Sequence, residues 1–449
     1  MFERLTDKVA YLRQHYFVKN AAVLQSGTVL GNLLQAVVGI FLARLLQPEL
    51  YGIYVLAFSL AGLISVVFGI GVQEAVLAVL GKAYQENDRV TAKDFLTFML
   101  KIAVVDFILV LASLPALLWI AQRMYDSRAI GLYAWVVVLA AVISTAFLSL
   151  VSVALQVTRQ IRTLTFLTVG DQILRLVLSV ALVLGGLKVA GAALGHFWGA
   201  VIVAIISLGI WRRISRQDSF FPSIWKLLAH WRKVSVRRLW WGYSFWVNFD
   251  RGIGNLYQIL PVFMLGIFMP PSEVTFFKLA FGYLNLALSL LAPISVLLNS
   301  EFPHTLAEDP TKIRSRFVKV SGYATLLSLV ITIGAVLFSP IMFKILYGEA
   351  FAPSIWYTYG LAVYAGLMGI GVGLGPLWRA LRRIRTSIVI NIATLMVGIP
   401  TGYWLIKYWH GWGAVVMVTI WYTVSHFASF LYLLGLTSTT SNKAKELVN

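Results

Sequence analysis

The feature that most constrains this chain is a succession of long apolar stretches separated by short polar segments. A transmembrane helix needs about 20 mostly apolar residues, and the 449-residue sequence contains about twelve such stretches. They lie near 21–43, 51–79, 95–121, 129–156, 163–187, 190–211, 244–269, 274–299, 317–338, 353–377, 387–406 and 412–436. Helices satisfy their backbone hydrogen bonds within one segment, which the bilayer core requires. The pattern therefore predicts an all-α, polytopic membrane protein with about twelve transmembrane helices.

Composition agrees with this prediction. Hydrophobic residues make up 59% of the chain and charged residues only 12%, whereas soluble domains are about 25% charged. A chain this apolar cannot cover a water-facing surface, so lipid must be its solvent. The sequence has no cysteine, which excludes a disulfide framework and Cys-ligated metals. We expect no cofactor and no metal site.

The excess of basic residues predicts the orientation of the helices. A net charge of +19 would suggest nucleic acid as the partner of a soluble protein, but basic residues also collect in the cytoplasmic loops of membrane proteins. Of the 37 Lys and Arg residues, 27 fall on the side that holds both termini and the central loop, and 6 fall on the other side. The sequence therefore predicts cytoplasmic N- and C-termini, and no nucleic-acid partner.

The chain also contains an internal repeat. A constant shift of 223 residues superimposes Gly31–Gln35 on Gly254–Gln258, Pro48 on Pro271, Ala57–Phe58 on Ala280–Phe281, and Ile161–Thr163 on Ile384–Thr386. Six helices per half is an even number, so the two halves should have the same orientation in the membrane. This predicts two parallel six-helix bundles with a substrate path between them.

The repeat and the loops predict five regions. They are a cytoplasmic N-terminal segment (1–20), an N-terminal bundle (21–211), a basic cytoplasmic linker with an amphipathic helix (212–243), a C-terminal bundle (244–436) and a cytoplasmic tail (437–449). The apolar and basic residues of 220–228 predict that this part of the linker lies on the inner leaflet.

Polar residues inside predicted spans are the candidates for a functional site, because an ionisable group in hydrocarbon is costly unless it is paired or faces water. Arg forms bidentate bonds with phosphate and stays protonated, and Asn and Gln both donate to and accept from sugar hydroxyls. We predict that the substrate-binding residues are Arg175, Arg251, Asn32, Gln35, Asn255, Gln258 and Lys101.

The acidic residues in spans are candidates for coupling transport to an ion, and these are Asp106, Asp171 and Asp250. Asp171 and Arg175 are four residues apart and can pair on one helix face. The alternative interpretation is purely structural: ion pairs and amide hydrogen bonds can simply hold the bundle together. Lys101 lies near a span end and can also extend its ammonium group to the interface.

Two classes of protein are disfavoured. The sequence lacks G-x-x-x-x-G-K-[ST], the phosphate-binding loop of many ATP-driven motors. The predicted outer loops are short, which leaves little room for the active site of a polytopic glycosyltransferase or polymerase. We therefore predict a transporter and not an enzyme.

Several stretches at span ends resemble a known family. Leu45–Tyr54, Gly69–Gly71, Leu346–Phe351 and Arg379–Arg383 are similar to the corresponding stretches of polysaccharide-repeat flippases. These are the O-antigen, Wzx-type flippases of the multidrug/oligosaccharidyl-lipid/polysaccharide exporter superfamily. The resemblance covers most of the chain, including helix number, orientation and repeat.

The resemblance implies a MATE-like fold in a bacterial-type inner (plasma) membrane. It implies that the protein flips an undecaprenyl-diphosphate-linked oligosaccharide from the inner to the outer leaflet by alternating access through a cationic cavity. The partners would be this lipid-linked oligosaccharide and membrane lipids, with glycan-assembly enzymes as further candidates. A cation-coupled multidrug antiporter of the same fold is the alternative. Proton coupling, sodium coupling and the membrane potential alone all stay open as the driving force.

Overall fold

The computed structural model describes residues 16–66, 72–235 and 245–446, and no strand occurs within these ranges. Its α-helices are α1 (Tyr16–Ser65), α2 (Val72–Gln85), α3 (Arg89–Tyr125), α4 (Arg128–Val157), α5 (Ile161–Leu182), α6 (Lys188–Gln217), α7 (Ile224–Ala229), α8 (Phe245–Phe268), α9 (Pro271–Leu288), α10 (Ala292–Glu308), α11 (Ile313–Leu346), α12 (Pro353–Gly360), α13 (Ala362–Leu367), α14 (Leu374–Ala380) and α15 (Ile384–Glu446). The predicted all-α, polytopic membrane fold is confirmed.

Three breaks divide the longest helical stretches. α1 is interrupted at Gln47, whose φ is 61°, just before Pro48. A five-residue π turn containing Gly186, with φ 90°, separates α5 from α6. α15 is interrupted at His410, with φ 52°. Each break lies where the sequence predicts one span to end and the next to begin.

The helices match the predicted number of spans once these breaks are taken into account. Seven stretches of the described chain are long and apolar enough to cross a membrane, and the bent pair Glu349–Gly360 and Ala362–Ala380 makes an eighth. Gly252–Phe268 is a shorter apolar helix. When the three broken stretches are each counted as two, the described part of the chain contains twelve apolar helical segments in the predicted order, besides the shorter helices α2 and α7.

The internal repeat is visible in the backbone. Arg159 and Arg382 have φ of 59° and 56°, and each lies two residues before a helix that begins at Ile161 or Ile384. Both pairs are 223 residues apart, the shift found in the sequence. Positive φ is uncommon for residues other than glycine. Its recurrence at this spacing therefore indicates duplicated local structure.

Two helix starts are also capped alike. The Asp88 carboxylate accepts hydrogen bonds from the Thr91 hydroxyl and backbone N–H before α3. The Asp309 carboxylate accepts the same two bonds from Thr311. The Thr91 hydroxyl bond holds the pKa of Asp88 below its ordinary value. A bond from the Lys312 ammonium group, followed by those from Thr311, lowers the pKa of Asp309 to about 2.

The contacts divide the chain into two compact units. Unit 1 comprises Met1–Leu46 and Leu60–Gly252, and unit 2 comprises Gln47–Ser59 and Ile253–Asn449. Unit 2 therefore includes a short segment from the first half of the sequence. The region boundaries predicted from the sequence stay a prediction.

Within unit 2, the segment Gln47–Ser59 lies against α9. The Thr275 hydroxyl donates to the Pro48 carbonyl oxygen at 2.7 Å. A Cβ atom on Gly52 would lie only 1.9 Å from the Pro271 carbonyl oxygen, so a residue with a side chain cannot be accommodated there without a backbone shift.

Much of the outer surface is apolar, as a lipid environment requires. Large side chains such as Phe166, Leu337 and Met396 are 83%, 71% and 71% exposed. Such a surface would be unstable in water, whereas lipid solvates it. Exposed polar side chains in mid-helix are therefore the informative exceptions.

Candidate functional site

One exception lies on α8 in unit 2. The exposed positions Gly254, Asn255 and Gln258 follow one helical face, while Ile253 and Tyr257 on the other face are buried. A helix whose exposed face contacted lipid would carry apolar residues there. The two amides thus lie on an open polar face and are not locked in packed core, which fits a water-lined surface.

A second polar stripe follows α9. Lys278, Gly282 and Asn285 recur at i, i+4 and i+7 between the buried residues Phe277 and Phe281. A Cβ atom on Gly282 would meet nothing within 4 Å, so this face is open. Lys278 is partly exposed and makes no hydrogen bond or ion pair with any residue that the structure describes. Lys278 is not among the predicted substrate-binding residues, because its place near the end of a predicted span favours extension of its ammonium group to the interface. The i, i+4, i+7 spacing was a usable signal for the polar stripe.

Aromatic and amide groups lie beside this stripe. The Tyr364 hydroxyl donates to Asn285 Oδ1 at 2.7 Å, and Asn285 Nδ2 donates to the Phe281 carbonyl oxygen at 2.8 Å. The Tyr364 and Tyr422 rings are 4.9 Å apart, and the Tyr422 and Tyr257 rings are 5.4 Å apart. Three tyrosines from α8, α13 and α15 thus form one cluster within unit 2.

Hydrogen bonds extend this cluster along α15. The Tyr257 hydroxyl donates to the Asn391 carbonyl oxygen at 3.2 Å, and the Ser425 hydroxyl donates to Asn391 Oδ1 at 2.6 Å. The His426 ring lies 5.8 Å from the Tyr422 ring. Buried hydroxyls and amides that are mutually bonded position one another, so this network fixes the side chains behind the polar stripe of α9.

In unit 1, the predicted pair on α5 is formed. Arg175 Nε lies 2.7 Å from Asp171 Oδ1, and the two side chains are 15% and 14% exposed. A Cβ atom on Gly199 would lie 2.7 Å from Arg175 Cγ, so α6 passes close to the arginine. The hydrogen bond uses Nε alone, and neither η nitrogen bonds to a residue that the structure describes, so both are candidate donors for a ligand.

The remaining predicted residues are placed only in part. Gln35 is exposed on α1 in unit 1, and Asp106 on α3 is partly exposed and interacts with a neighbouring group. The side chains of Asn32, Asp250 and Arg251 lie outside the described part of the structure. Among the predicted residues whose side chains are described, Asp171 and Arg175 are brought into direct contact.

Lys101 is engaged by the linker. Its Nζ donates to the Val234 carbonyl oxygen at 2.7 Å and lies 5.4 Å from the centroid of the Trp231 ring. These contacts favour a structural role, in which the ammonium group holds the linker on unit 1. The substrate-binding role stays a prediction.

The family-like stretches fall at helix breaks and turns. Leu45–Tyr54 contains the break at Gln47, and Leu346–Phe351 contains Gly348, whose φ of 99° favours glycine. Gly69–Gly71 lies outside the described residues. Across the described chain, no group of three or more His, Asp or Glu side chains is arranged to hold a metal ion.

The fold matches solved structures of transporters. An inward-facing multidrug resistance MATE family transporter of the MOP superfamily matches with a TM-score of 0.66 and 17% identity, covering 92% of this chain and 96% of the other. An outward-facing transporter of the same description matches with a TM-score of 0.60 and 17% identity, covering 94% of each chain. A Vibrio cholerae MATE transporter matches with a TM-score of 0.60 and 14% identity, covering 96% of this chain and 98% of the other. At these identities the likeness establishes the fold.

A family assignment comes from the sequence itself. The profile of the family described as "Polysaccharide biosynthesis protein" matches residues 17–303, more than half of the chain. No curated protein sequence matches the chain. The resemblance noted in the sequence is confirmed at the level of family and fold: this chain belongs to the polysaccharide biosynthesis protein family and has the fold of MATE transporters of the MOP superfamily.

Proposed function

We propose that the protein is a secondary transporter that moves an undecaprenyl-diphosphate-linked oligosaccharide from the inner to the outer leaflet by alternating access. Membership of a polysaccharide biosynthesis family and a transporter fold support this proposal. The decisive observation is the stripe on α9, where Lys278 has no partner among the described residues and lies beside the open position Gly282.

The physical problem such a transporter solves is the sugar headgroup. Each polar group that enters hydrocarbon without a hydrogen-bond partner costs several kcal/mol. A hydrated polar path replaces those bonds while the polyprenyl tail stays in lipid. The diphosphate is anionic and the cell interior is negative, so outward movement of each charge gains about 2.3 kcal/mol per 100 mV.

Lys278 and the predicted residues other than Lys101, whose contacts with the linker favour a structural role, have these chemical roles in the proposal. Lys278, Arg175 and Arg251 supply positive charge for the diphosphate, because cationic donors form strong, charge-assisted bonds with phosphate. Asn255 and Gln258, with Asn32 and Gln35 as predicted counterparts in the first half, bond to sugar hydroxyls. The ion-coupling candidates are Asp106, Asp171 and Asp250.

The proposed setting follows from charge and family. Both termini and the linker lie in the cytoplasm, on the inner face of a bacterial-type inner membrane. Glycan-assembly enzymes that make the lipid-linked substrate are the proposed protein partners. The alternative, cation-coupled multidrug antiport, draws on the similar transporters described as multidrug resistance proteins. A lysine in mid-helix that has no partner among the described residues favours an anionic substrate over a cationic drug.

A direct test uses proteoliposomes that contain lipid-linked oligosaccharide and a glycan-binding probe on one side. Lys278→Gln and Arg251→Ala should each lower the rate of headgroup translocation about tenfold or more, the effect of losing one charge-assisted bond. The matched control is Lys344→Gln, because Lys344 forms an exposed pair with Glu349 and exposed pairs contribute little.

The outcomes separate the two transport functions. Wild-type rates for both Lys278→Gln and Arg251→Ala would remove these cations from the substrate path. Uptake of a cationic dye against an ion gradient, with no movement of lipid-linked oligosaccharide, would establish the drug antiporter instead. Equal losses in the control variant would mean that the assay reports net charge.

A further inference from the structure

The linker between α6 and α8 is pinned to unit 1 by polar contacts. Besides the bond from Lys101 to Val234, His230 Nε2 lies 2.6 Å from Asp94 Oδ1. The Tyr84 hydroxyl donates to Asp218 Oδ2 at 3.1 Å. These contacts hold both ends of the described part of the linker.

Apolar side chains pack the inner side of the linker into unit 1. Phe220, Phe221, Leu227 and Val234 are buried in one cluster with Trp211 from the end of α6. Burial of several large apolar side chains stabilises a fixed position of the linker, because it removes apolar surface from water. The linker is therefore a docked element with a defined outer side.

The outer side combines exposed apolar and basic residues. Trp225 is 80% exposed and Leu228 is 40% exposed. Lys226, Arg232 and Lys233 are exposed beside them. We name these five residues the basic face of the linker.

Charge is distributed unevenly between the two sides. The described stretch 212–235 contains the basic residues Arg212, Arg213, Arg216, Lys226, Arg232 and Lys233, all exposed. Asp218 is the one acidic residue of that stretch, and its carboxylate is bonded to Tyr84 and to the Phe220 N–H. The outer side is therefore positive and carries no acidic side chain of its own.

The linker follows the first part of α3, from Asp94 to Lys101. His230 contacts Asp94 and Val234 contacts Lys101, so the segment moves about 10 Å along the helix axis, at 1.5 Å per residue. At 37 residues, α3 is about 55 Å long, whereas the hydrocarbon core is about 30 Å thick. α3 is thus longer than the hydrocarbon core is thick. Its first turns carry the charged residues Arg89, Lys93 and Asp94, which favours a position of this end outside the hydrocarbon.

We propose that the basic face of the linker is a binding site for anionic phospholipids of the leaflet on which it lies. Trp favours the boundary between headgroups and acyl chains, and Lys and Arg beside it attract anionic lipid. An acidic protein partner would also match the charge. The apolar Trp225 and Leu228 between the cations, on a protein whose spans are in lipid, favour the bilayer as the occupant.

The absence of cysteine from the sequence permits a uniquely placed probe. Ala229→Cys, at an exposed position of α7, carries an environment-sensitive fluorophore on the full chain in nanodiscs. Nanodiscs are made of phosphatidylcholine alone or of phosphatidylcholine with phosphatidylglycerol. The emission should shift to the blue when phosphatidylglycerol is present. Headgroup-spin-labelled phosphatidylglycerol should quench the fluorophore more than spin-labelled phosphatidylcholine does.

Variants test which charges are responsible. The combination Lys226→Gln, Arg232→Gln and Lys233→Gln should abolish the preference for phosphatidylglycerol, since each cation near an anionic surface contributes roughly fivefold in binding. The matched control is Arg123→Gln, Arg128→Gln and Lys188→Gln, three exposed cations at other helix ends of unit 1. The control should keep the preference. Trp225→Ala should reduce the blue shift.

Three outcomes would overturn the proposal. One is equal quenching by the two lipids in the unmodified linker. Another is an equal loss in the basic-face and control variants, which would make the preference a property of net charge. The third is a change in the fluorophore emission on addition of soluble polyglutamate that is at least as large as the change caused by phosphatidylglycerol. That result would indicate an acidic protein partner. None of these measurements depends on the transported substrate.

Discussion

At the scale of single residues, the Asp171–Arg175 pair allows a structural role to be separated from a role in transport. Arg175→Met should lower the free energy of unfolding by about 3 kcal/mol, because it leaves a largely buried carboxylate without its partner. Asp171→Leu together with Arg175→Met should recover most of that loss. Thermal unfolding in detergent measures both effects.

The transport rate of the double variant then decides the role of the arginine. If the η nitrogens of Arg175 bind the diphosphate, Asp171→Leu with Arg175→Met should fold well and remain defective in translocation. A double variant that transports like the wild type would show that the pair only holds α5 in place.

Single-residue contacts were predictable from the sequence where they are local. The four-residue spacing of Asp171 and Arg175 places them on one turn, and the bond is present. Lys101 bonds to a backbone carbonyl 133 residues away, and such an acceptor leaves no trace in side-chain patterns. The partial exposure of Lys278 likewise depends on which face of α9 its neighbours cover.

At the scale of helices, close approach between α5 and α6 depends on glycine. A Cβ atom on Gly195 would lie 2.3 Å from the backbone N and Cα of Ser179, whereas one on Gly209 of the same helix would meet nothing within 4 Å. Gly195→Ala should therefore lower the melting temperature in detergent. Gly209→Ala should raise stability slightly, by about 0.5–1 kcal/mol, because Ala is the better helix former.

The comparison is internally controlled, since both substitutions add one methyl group to α6. Equal melting temperatures for the two variants would contradict the close approach of α5 and α6. A loss only in Gly195→Ala would place the effect at the contact with Ser179 and not in helix propensity.

The helices were predictable from the lengths of the apolar stretches, but the junctions between helices were predictable only in part. The twelve predicted stretches correspond to the twelve apolar segments that the described chain contains once its three broken stretches are divided. The turn at Gln47 is suggested by Pro48, which disfavours helical backbone in the residue before it. The grouping of Gln47–Ser59 with unit 2 was not predictable, because it depends on long-range contacts with Pro271 and Thr275.

At the scale of the whole molecule, the two halves of the chain share rare backbone conformations at positions about one repeat apart. Lys188 and His410 have nearly the same rare geometry, with φ of 48° and 52° and ψ of −131° in both. The two side chains have different chemistry, so the match reflects the turn and not the residue. The match agrees with the duplication that the sequence predicts, in which helix ends keep their geometry while the polar residues of the two halves differ.

The duplicated turns at Arg159 and Arg382 give the final prediction. Both residues have φ near 60°, a conformation that Asn tolerates and β-branched residues strongly avoid. Arg159→Val and Arg382→Val should each lower the free energy of unfolding by about 1 kcal/mol or more relative to Arg159→Asn and Arg382→Asn. Both members of each comparison remove the same charge, so the difference reports backbone strain. Similar differences at the two sites would support one duplicated turn, whereas a difference at one site alone would show that the second half has lost it.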